Sequence, residues 1–180
     1  MNIPNLITIG RILLVPVTIW FLISSDFVSA FGVFLIAGIS DGFDGWLARA
    51  TGTQSELGAY LDPIADKALL VSTYTTLGII KILPAWLVIA VITRDVLIVG
   101  GVVLLRLMDR PIEVKPLFVS KANTALQIAF VVCVLGLLSL GWHAALFMAL
   151  ASYAVLALTA FSGLGYMMAW LKLMNGPTNA

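Results

Sequence analysis

Six apolar stretches, each of about the twenty residues a membrane-spanning helix needs, fill the chain and are parted by five short polar breaks. The stretches run over 5–24, 28–50, 57–80, 84–108, 119–139 and 143–170. The breaks are Ser24-Ser25-Asp26, Thr51-Gly52-Thr53-Gln54-Ser55, Lys81 to Pro84, Met108 to Pro116 and Ser139 to His143. Such a division leaves no room for a soluble domain between the helices. Of the 180 residues, 61% are hydrophobic and 11% are charged, where a soluble domain carries about 25% charged residues. The expected fold is an all-α integral membrane protein of six transmembrane helices. It forms one domain over residues 1–174, with a polar tail over 175–180.

Lys and Arg set the expected orientation. Arg49, Arg106, Arg110, Lys115, Lys121 and Lys172 hold or adjoin the second and fourth connectors and the C-terminus, while the opposite connectors hold only Lys81. Both termini are therefore expected in the cytoplasm or its topological equivalent. Residues 12–25, with Val28-Ser29-Ala30 behind them, have the outline of a cleavable signal sequence. No basic residue precedes Arg11, however, Arg11 lies inside the apolar stretch, and everything downstream is equally apolar. The segment is read as the first transmembrane helix. A net charge of +1 gives no bulk attraction for nucleic acid. The single cysteine, Cys133, excludes an internal disulfide and reads as a small core or lipid-facing residue; the single histidine, His143, reads as a solvated interfacial residue.

Against this apolar background stand four aspartates, Asp41, Asp44, Asp62 and Asp66. Each pair has helical spacing, i,i+3 and then i,i+4, so each faces one side of its helix. A carboxylate inside a membrane helix costs several kcal/mol, of order 3, unless it is compensated, and divalent cations compensate four converging carboxylates best. An oxygen-only donor set without His or Cys suits Mg²⁺ or Mn²⁺. Two such ions about 4 Å apart can clamp the attacking and leaving oxygens of a phosphoryl displacement. Gly45 and Ala48 follow on the face of Asp41 and Asp44, and Gly58 precedes Asp62 and Asp66 at i, i+4, i+8. Their missing side chains let a phosphate or planar group approach the backbone, and Arg49 supplies a fixed positive charge. Small residues also serve helix packing, but packing does not explain the aspartates facing them. Pro63 either kinks the third helix or marks its effective start. Lys67 either snorkels to the interface or pairs with an aspartate.

The string Asp41-x2-Asp44-Gly45-x2-Ala48-Arg49-x8-Gly58-x3-Asp62-x3-Asp66 resembles the complete signature of the CDP-alcohol phosphatidyltransferases. The likeness extends over nearly the whole chain, because that family's core is six transmembrane helices. It implies transfer of a phosphatidyl group from CDP-diacylglycerol to an alcohol, with release of CMP. By that resemblance Asp41, Asp44, Asp62 and Asp66 hold two divalent cations, Mg²⁺ or Mn²⁺. Asp66 is also the base that deprotonates the acceptor hydroxyl. Asp41, Gly45, Ala48, Arg49 and Gly58 contact the cytidine diphosphate, at the cytoplasmic ends of helices 2 and 3. A homodimer in a bacterial inner membrane, in preference to a mitochondrial one, is expected.

The acceptor is harder to read. Arg94, in Thr93-Arg94-Asp95, is an intramembrane arginine and so a functional candidate; it reads equally as half of a structural pair with Asp95 or another aspartate. Lys115, Lys121 and Asn123 are candidates for holding a second anionic group, and Arg11 belongs with them. The N-terminal string Asn2-Ile3-Pro4-Asn5-Leu6…Arg11 is similar to both phosphatidylglycerophosphate synthases and cardiolipin synthases of the family. Thr93-Arg94-Asp95-Val96 with Lys115-Pro116-x3-Ser120-Lys121-x-Asn123-Thr124-Ala125 is more similar to the cardiolipin synthase branch. That branch implies phosphatidylglycerol as acceptor; the alternative is glycerol 3-phosphate. A phospholipase-D-type mechanism is excluded, since paired His-x-Lys motifs are absent from a chain with one histidine. A small transporter is the reading of a different class. Its carboxylates belong near the midplane, whereas here only Asp26, at the rim, lies on the far side.

Overall fold

A computed structural model of the protein describes residues 3–51, 56–107, 118–142 and 144–175, with side chains over the same ranges except 3–9, 41–51, 56–64, 102–107 and 169–175. Every secondary-structure element among the described residues is an α-helix, and there are six: α1 (Ile3–Ile23), α2 (Phe27–Thr51), α3 (Glu56–Ile79), α4 (Ala85–Leu107), α5 (Phe118–Ser139) and α6 (Ala145–Asn175). At about 1.5 Å per residue each reaches the roughly 30 Å of a bilayer core. Among the described residues, Phe118–Ser139 and Ala145–Met168 are each long and apolar enough to cross a membrane by composition.

The helices begin and end close to the polar breaks. α3 starts at Glu56 and runs on through Pro63, so that proline is interior and is not the helix start. α6 continues to Asn175, past the expected end near 170. His143 lies outside the described residues, and Cys133 is exposed, in keeping with a lipid-facing position.

Three helices close with the same backbone device. At the end of α1 the Ser25 N–H donates to Leu22 O and the Asp26 N–H to Phe21 O. Lys81 and Ile82 repeat the pattern onto Gly78 and Leu77, and Gly141 and Trp142 onto Leu138 and Leu137. This paired 5→2 and 6→1 bonding satisfies carbonyls that the helix leaves orphaned, and it needs a left-handed residue at the turn. Gly141 takes that conformation at φ 68° without steric cost; Ser25 (φ 59°) and Lys81 (φ 61°) take it despite their side chains. Asp26 also opens α2. Its Oδ1 accepts from the Ser29 N–H at 3.1 Å, as an N-cap does. The Ser29 hydroxyl bonds there too, and together these hold the carboxyl below its ordinary 3.8.

The chain divides into two compact units. The first comprises residues 1–84 and 131–144, and the second residues 85–130 and 145–180. In the first, α1 packs along both α2 and α3, and α2 also touches α3. Leu22, Phe34, Ala65, Leu69, Tyr74 and Leu77 are buried in its core. Ser72, Thr73, Thr75 and Thr76 on α3 each donate a hydroxyl to the carbonyl four residues earlier, so these polar groups need no outside partner. In the second unit α4 packs on α6, and the rings of Trp86 and Tyr153 stack with centroids 5.2 Å apart. Large apolar side chains also cover outward faces: Trp20, Ile39, Phe118, Leu146 and Phe161 are all exposed.

Candidate active site

Asp41 and Asp44 sit on α2, and Asp62 and Asp66 on α3, two helices in contact within the first unit. The side chains of Asp41, Asp44, Gly45, Ala48, Arg49, Gly58 and Asp62 lie outside those described. Their places on continuous helical backbone are fixed, and the i,i+3 and i,i+4 spacings put each aspartate pair on one helix face. Asp66 and its neighbours are described in full.

The Asp66 carboxylate receives a charge-assisted hydrogen bond from α1. Arg11 Nη1 lies 2.7 Å from Asp66 Oδ1, in the range of strong N⁺–H···O⁻ bonds. The two partners differ in exposure: the Arg11 side chain is 1% exposed and that of Asp66 45%. The cation is thus enclosed by protein, while much of the carboxylate lies at the surface. Lys67, next along α3, is half-buried. The pairing of Arg11 with Asp66 escapes a sequence reading because the residues are 55 positions apart and meet only through the packing of α1 on α3.

The remaining acceptor candidates lie in the second unit. Arg94 on α4 is 3% exposed. Its Nη1 donates to Asp95 Oδ1 at 2.6 Å, its Nη2 to Ser120 Oγ and to Ser162 Oγ at 2.9 Å, and its Nε to the same Ser162 Oγ at 3.2 Å. The guanidinium thereby ties α4 to the start of α5 and to α6. Asn123 is fully buried, and its Oδ1 accepts from Thr159 Oγ1 at 3.0 Å. Gln127 Nε2 donates to the same hydroxyl at 3.3 Å. Lys121 is exposed, and Lys115 lies outside the described residues. Ser162, Thr159 and Gln127 were not singled out from sequence. Their signal is legible afterwards as polar residues at helical spacing in apolar helices, Ser120, Asn123 and Gln127 on α5 and Ser152, Thr159 and Ser162 on α6.

This cluster has a thermodynamic consequence. Arg94→Met is expected to lower unfolding stability by about 3–5 kcal/mol, because it removes one partner of a buried ion pair. Arg94→Met with Asp95→Leu is expected to recover much of that loss, since neither charge is then buried. Equilibrium unfolding of the two variants in mixed micelles checks this; an Arg94→Met protein as stable as the parent would show that the pair contributes nothing.

The donor set fits divalent cations. Four carboxylates with no His or Cys among them offer hard oxygen ligands, and the Asp66 carboxylate is half-exposed, open to an arriving ion. Asp41, Asp44, Asp62 and Asp66 are the residues that would hold Mg²⁺ or Mn²⁺.

The CDP-alcohol phosphatidyltransferase family model matches residues 1–174. The chain is 37% identical over 152 residues to the CDP-diacylglycerol–glycerol-3-phosphate 3-phosphatidyltransferase 1, chloroplastic, of Oryza sativa subsp. japonica, covering 75% of this chain and 46% of that protein. It is 37% identical over 146 residues to the cardiolipin synthase (CMP-forming) of Homo sapiens, covering 72% of this chain and 48% of that protein. A putative cardiolipin synthase of Mycobacterium bovis is 32% identical over 155 residues, 79% of this chain and 73% of that protein. The chain thus spans about half the length of the rice and human relatives. With the family model matched from residue 1 to residue 174 and the aspartate signature intact on α2 and α3, this chain belongs to the CDP-alcohol phosphatidyltransferase family.

Proposed function

We propose that the protein transfers a phosphatidyl group from CDP-diacylglycerol to phosphatidylglycerol, giving cardiolipin and CMP. The observation that carries the transferase reading is the complete aspartate signature on two touching helices, with Asp66 half-exposed and held by Arg11. Asp66 accepts the proton of the acceptor hydroxyl. The freed oxygen forms a bond to the phosphorus that bears the diacylglycerol, in line with the leaving group. The bond from that phosphorus to the bridging oxygen breaks, and CMP departs with the bridging oxygen. Gly45, Ala48 and Gly58 leave room for the diphosphate against the helix backbones, and Arg49 adds a fixed charge on phosphate. Divalent cations, when bound by the four aspartates, neutralise the diphosphate and the charge that develops on the leaving group.

The strings Thr93-Arg94-Asp95-Val96 and Lys115-Pro116-x3-Ser120-Lys121 support phosphatidylglycerol as acceptor, as does the similarity to the human cardiolipin synthase. Exposed Lys121 at the start of α5, with Lys115, offers cations to the acceptor's phosphate. A second reading, glycerol 3-phosphate as acceptor, is favoured by the equal identity to the rice phosphatidyltransferase. Purified protein with CDP-diacylglycerol and Mg²⁺, given each acceptor separately, tells them apart. Cardiolipin and CMP are expected with phosphatidylglycerol. Phosphatidylglycerophosphate from glycerol 3-phosphate alone would keep the transferase and overturn the acceptor.

The same reading places all six helices across a membrane, with both termini and the aspartate-bearing ends on the cytoplasmic side. The excess of Lys and Arg on that side supports it, as do the exposed apolar faces of α1, α4 and α6. We further propose a homodimer, as the family resemblance implies, and a bacterial inner membrane; the existence of a mycobacterial relative supports the bacterial setting alone.

A further inference from the structure

The exposure of the Arg11–Asp66 pair is lopsided, and the asymmetry bears on what Arg11 can do. An arginine that grips an acceptor phosphate has to present its guanidinium to the acceptor. The Arg11 side chain is 1% exposed. Its Nη1 is committed to Asp66 Oδ1 at 2.7 Å, and the whole residue is 2% exposed within α1. The Asp66 carboxylate is the exposed member of the pair, and Arg11 is the enclosed one.

We propose that Arg11 is a positioning residue for Asp66 and does not contact the acceptor. The proposal rests on the reading of Asp66 as the base, and it assigns Arg11 the task of fixing where that base points. An aspartate carboxylate can rotate about its Cβ–Cγ bond. A guanidinium anchored in the α1–α3 packing and bonded to Oδ1 removes that freedom and holds the carboxylate in one orientation before the acceptor arrives. Fixing a reacting group in this way is worth a large factor in rate, since a misplacement of about 1 Å can lower turnover by about a hundredfold. Arginine suits the task better than lysine because its planar fork is rigid and directional, whereas an ammonium on a flexible stem is a point charge.

The test uses the full-length protein in mixed micelles and the variants Arg11→Met, Arg11→Lys and Asp66→Asn. Steady-state kinetics against both substrates are paired with binding of radiolabelled CMP, which reports an intact nucleotide site independently of turnover. Arg11→Met is expected to lose about a hundredfold in kcat, with acceptor KM and CMP affinity within about twofold of the parent, the pattern of a lost transition-state interaction. Arg11→Lys is expected to recover about tenfold of that loss, because the charge returns without the fork. An acceptor KM raised about tenfold with kcat held would show direct contact with the acceptor and overturn the proposal. Loss of CMP binding in both Arg11 variants would leave Arg11 a purely structural role and overturn it too. The two layers fail separately. Parent-like turnover by Asp66→Asn removes the base reading itself, whereas an inactive Asp66→Asn beside an Arg11→Met with parent kcat leaves the base in place and rejects the positioning role.

Discussion

Replacing Asp66 with asparagine is expected to reduce CMP release by about a thousandfold to ten-thousandfold, the upper part of the range that a positioned general base contributes. Asparagine keeps the size and shape of aspartate, and its amide oxygen can still accept the hydrogen bond that Arg11 Nη1 now gives to Oδ1 at 2.7 Å. It cannot take a proton from the acceptor hydroxyl, and it is a poorer ligand for a hard cation. The substitution therefore separates chemistry from folding. Removing one partner of a fully buried pair destabilises by about 3–5 kcal/mol; the loss here is expected below that range, because the asparagine amide oxygen still accepts from Arg11 Nη1. Thermal unfolding of the variant beside the parent, with CMP release measured on the same samples, checks both halves. A folded Asp66→Asn protein that turned over at the parent rate would remove Asp66 from the chemistry.

Chelation is the second large effect. Exhaustive treatment with EDTA is expected to reduce turnover to background, and Mg²⁺ or Mn²⁺ to restore it. Four carboxylates cannot share a small volume of membrane protein without compensation, and a diphosphate brought among them adds further negative charge. Arg11 and Arg49 together cannot balance that sum. Under the proposed function, dications serve substrate binding as well as catalysis. Affinity for CDP-diacylglycerol is expected to fall with the rate, and a binding measurement in the chelated protein checks this separately from turnover. Undiminished activity after thorough chelation would contradict the assigned role of the aspartates.

The helical architecture was legible in the sequence because the polar breaks are short and unambiguous. α1 through α5 begin and end within about two residues of the apolar segments, and α6 departs more, since Lys172 and its apolar neighbours continue the helix to Asn175. The turns were less legible. Gly141 announces a left-handed residue, but Ser25 and Lys81 do not, because nothing in a serine or a lysine marks it as the residue that will close a helix with positive φ. Pro63 was ambiguous for a related reason. Proline favours the first turn of a helix, yet α3 already has Glu56 and Gly58 ahead of it.

The candidate site divides along the same line between local and long-range information. The four aspartates and the small residues between them form a pattern within 26 residues of chain, and spacing alone groups them by helix face. On sequence Arg11 groups with the acceptor candidates, and its partnership with Asp66 depends on how α1 lies against α3. Arg94 carried two readings, and its described partners are all internal: Asp95, Ser120 and Ser162. Those serines are unremarkable one at a time. They acquire meaning only once helix spacing places them on the faces that α4, α5 and α6 turn toward one another within the second unit.

In the proposed reaction the phosphorus bearing the diacylglycerol moves from CDP-diacylglycerol to the acceptor. A radiolabel placed on that phosphorus alone, with purified protein, Mg²⁺ and phosphatidylglycerol, reports where it goes. All of the transferred label is predicted in cardiolipin, with unlabelled CMP formed in equal amount. Label recovered in a water-soluble phosphate compound, or cardiolipin formed without label, would contradict phosphatidyl transfer.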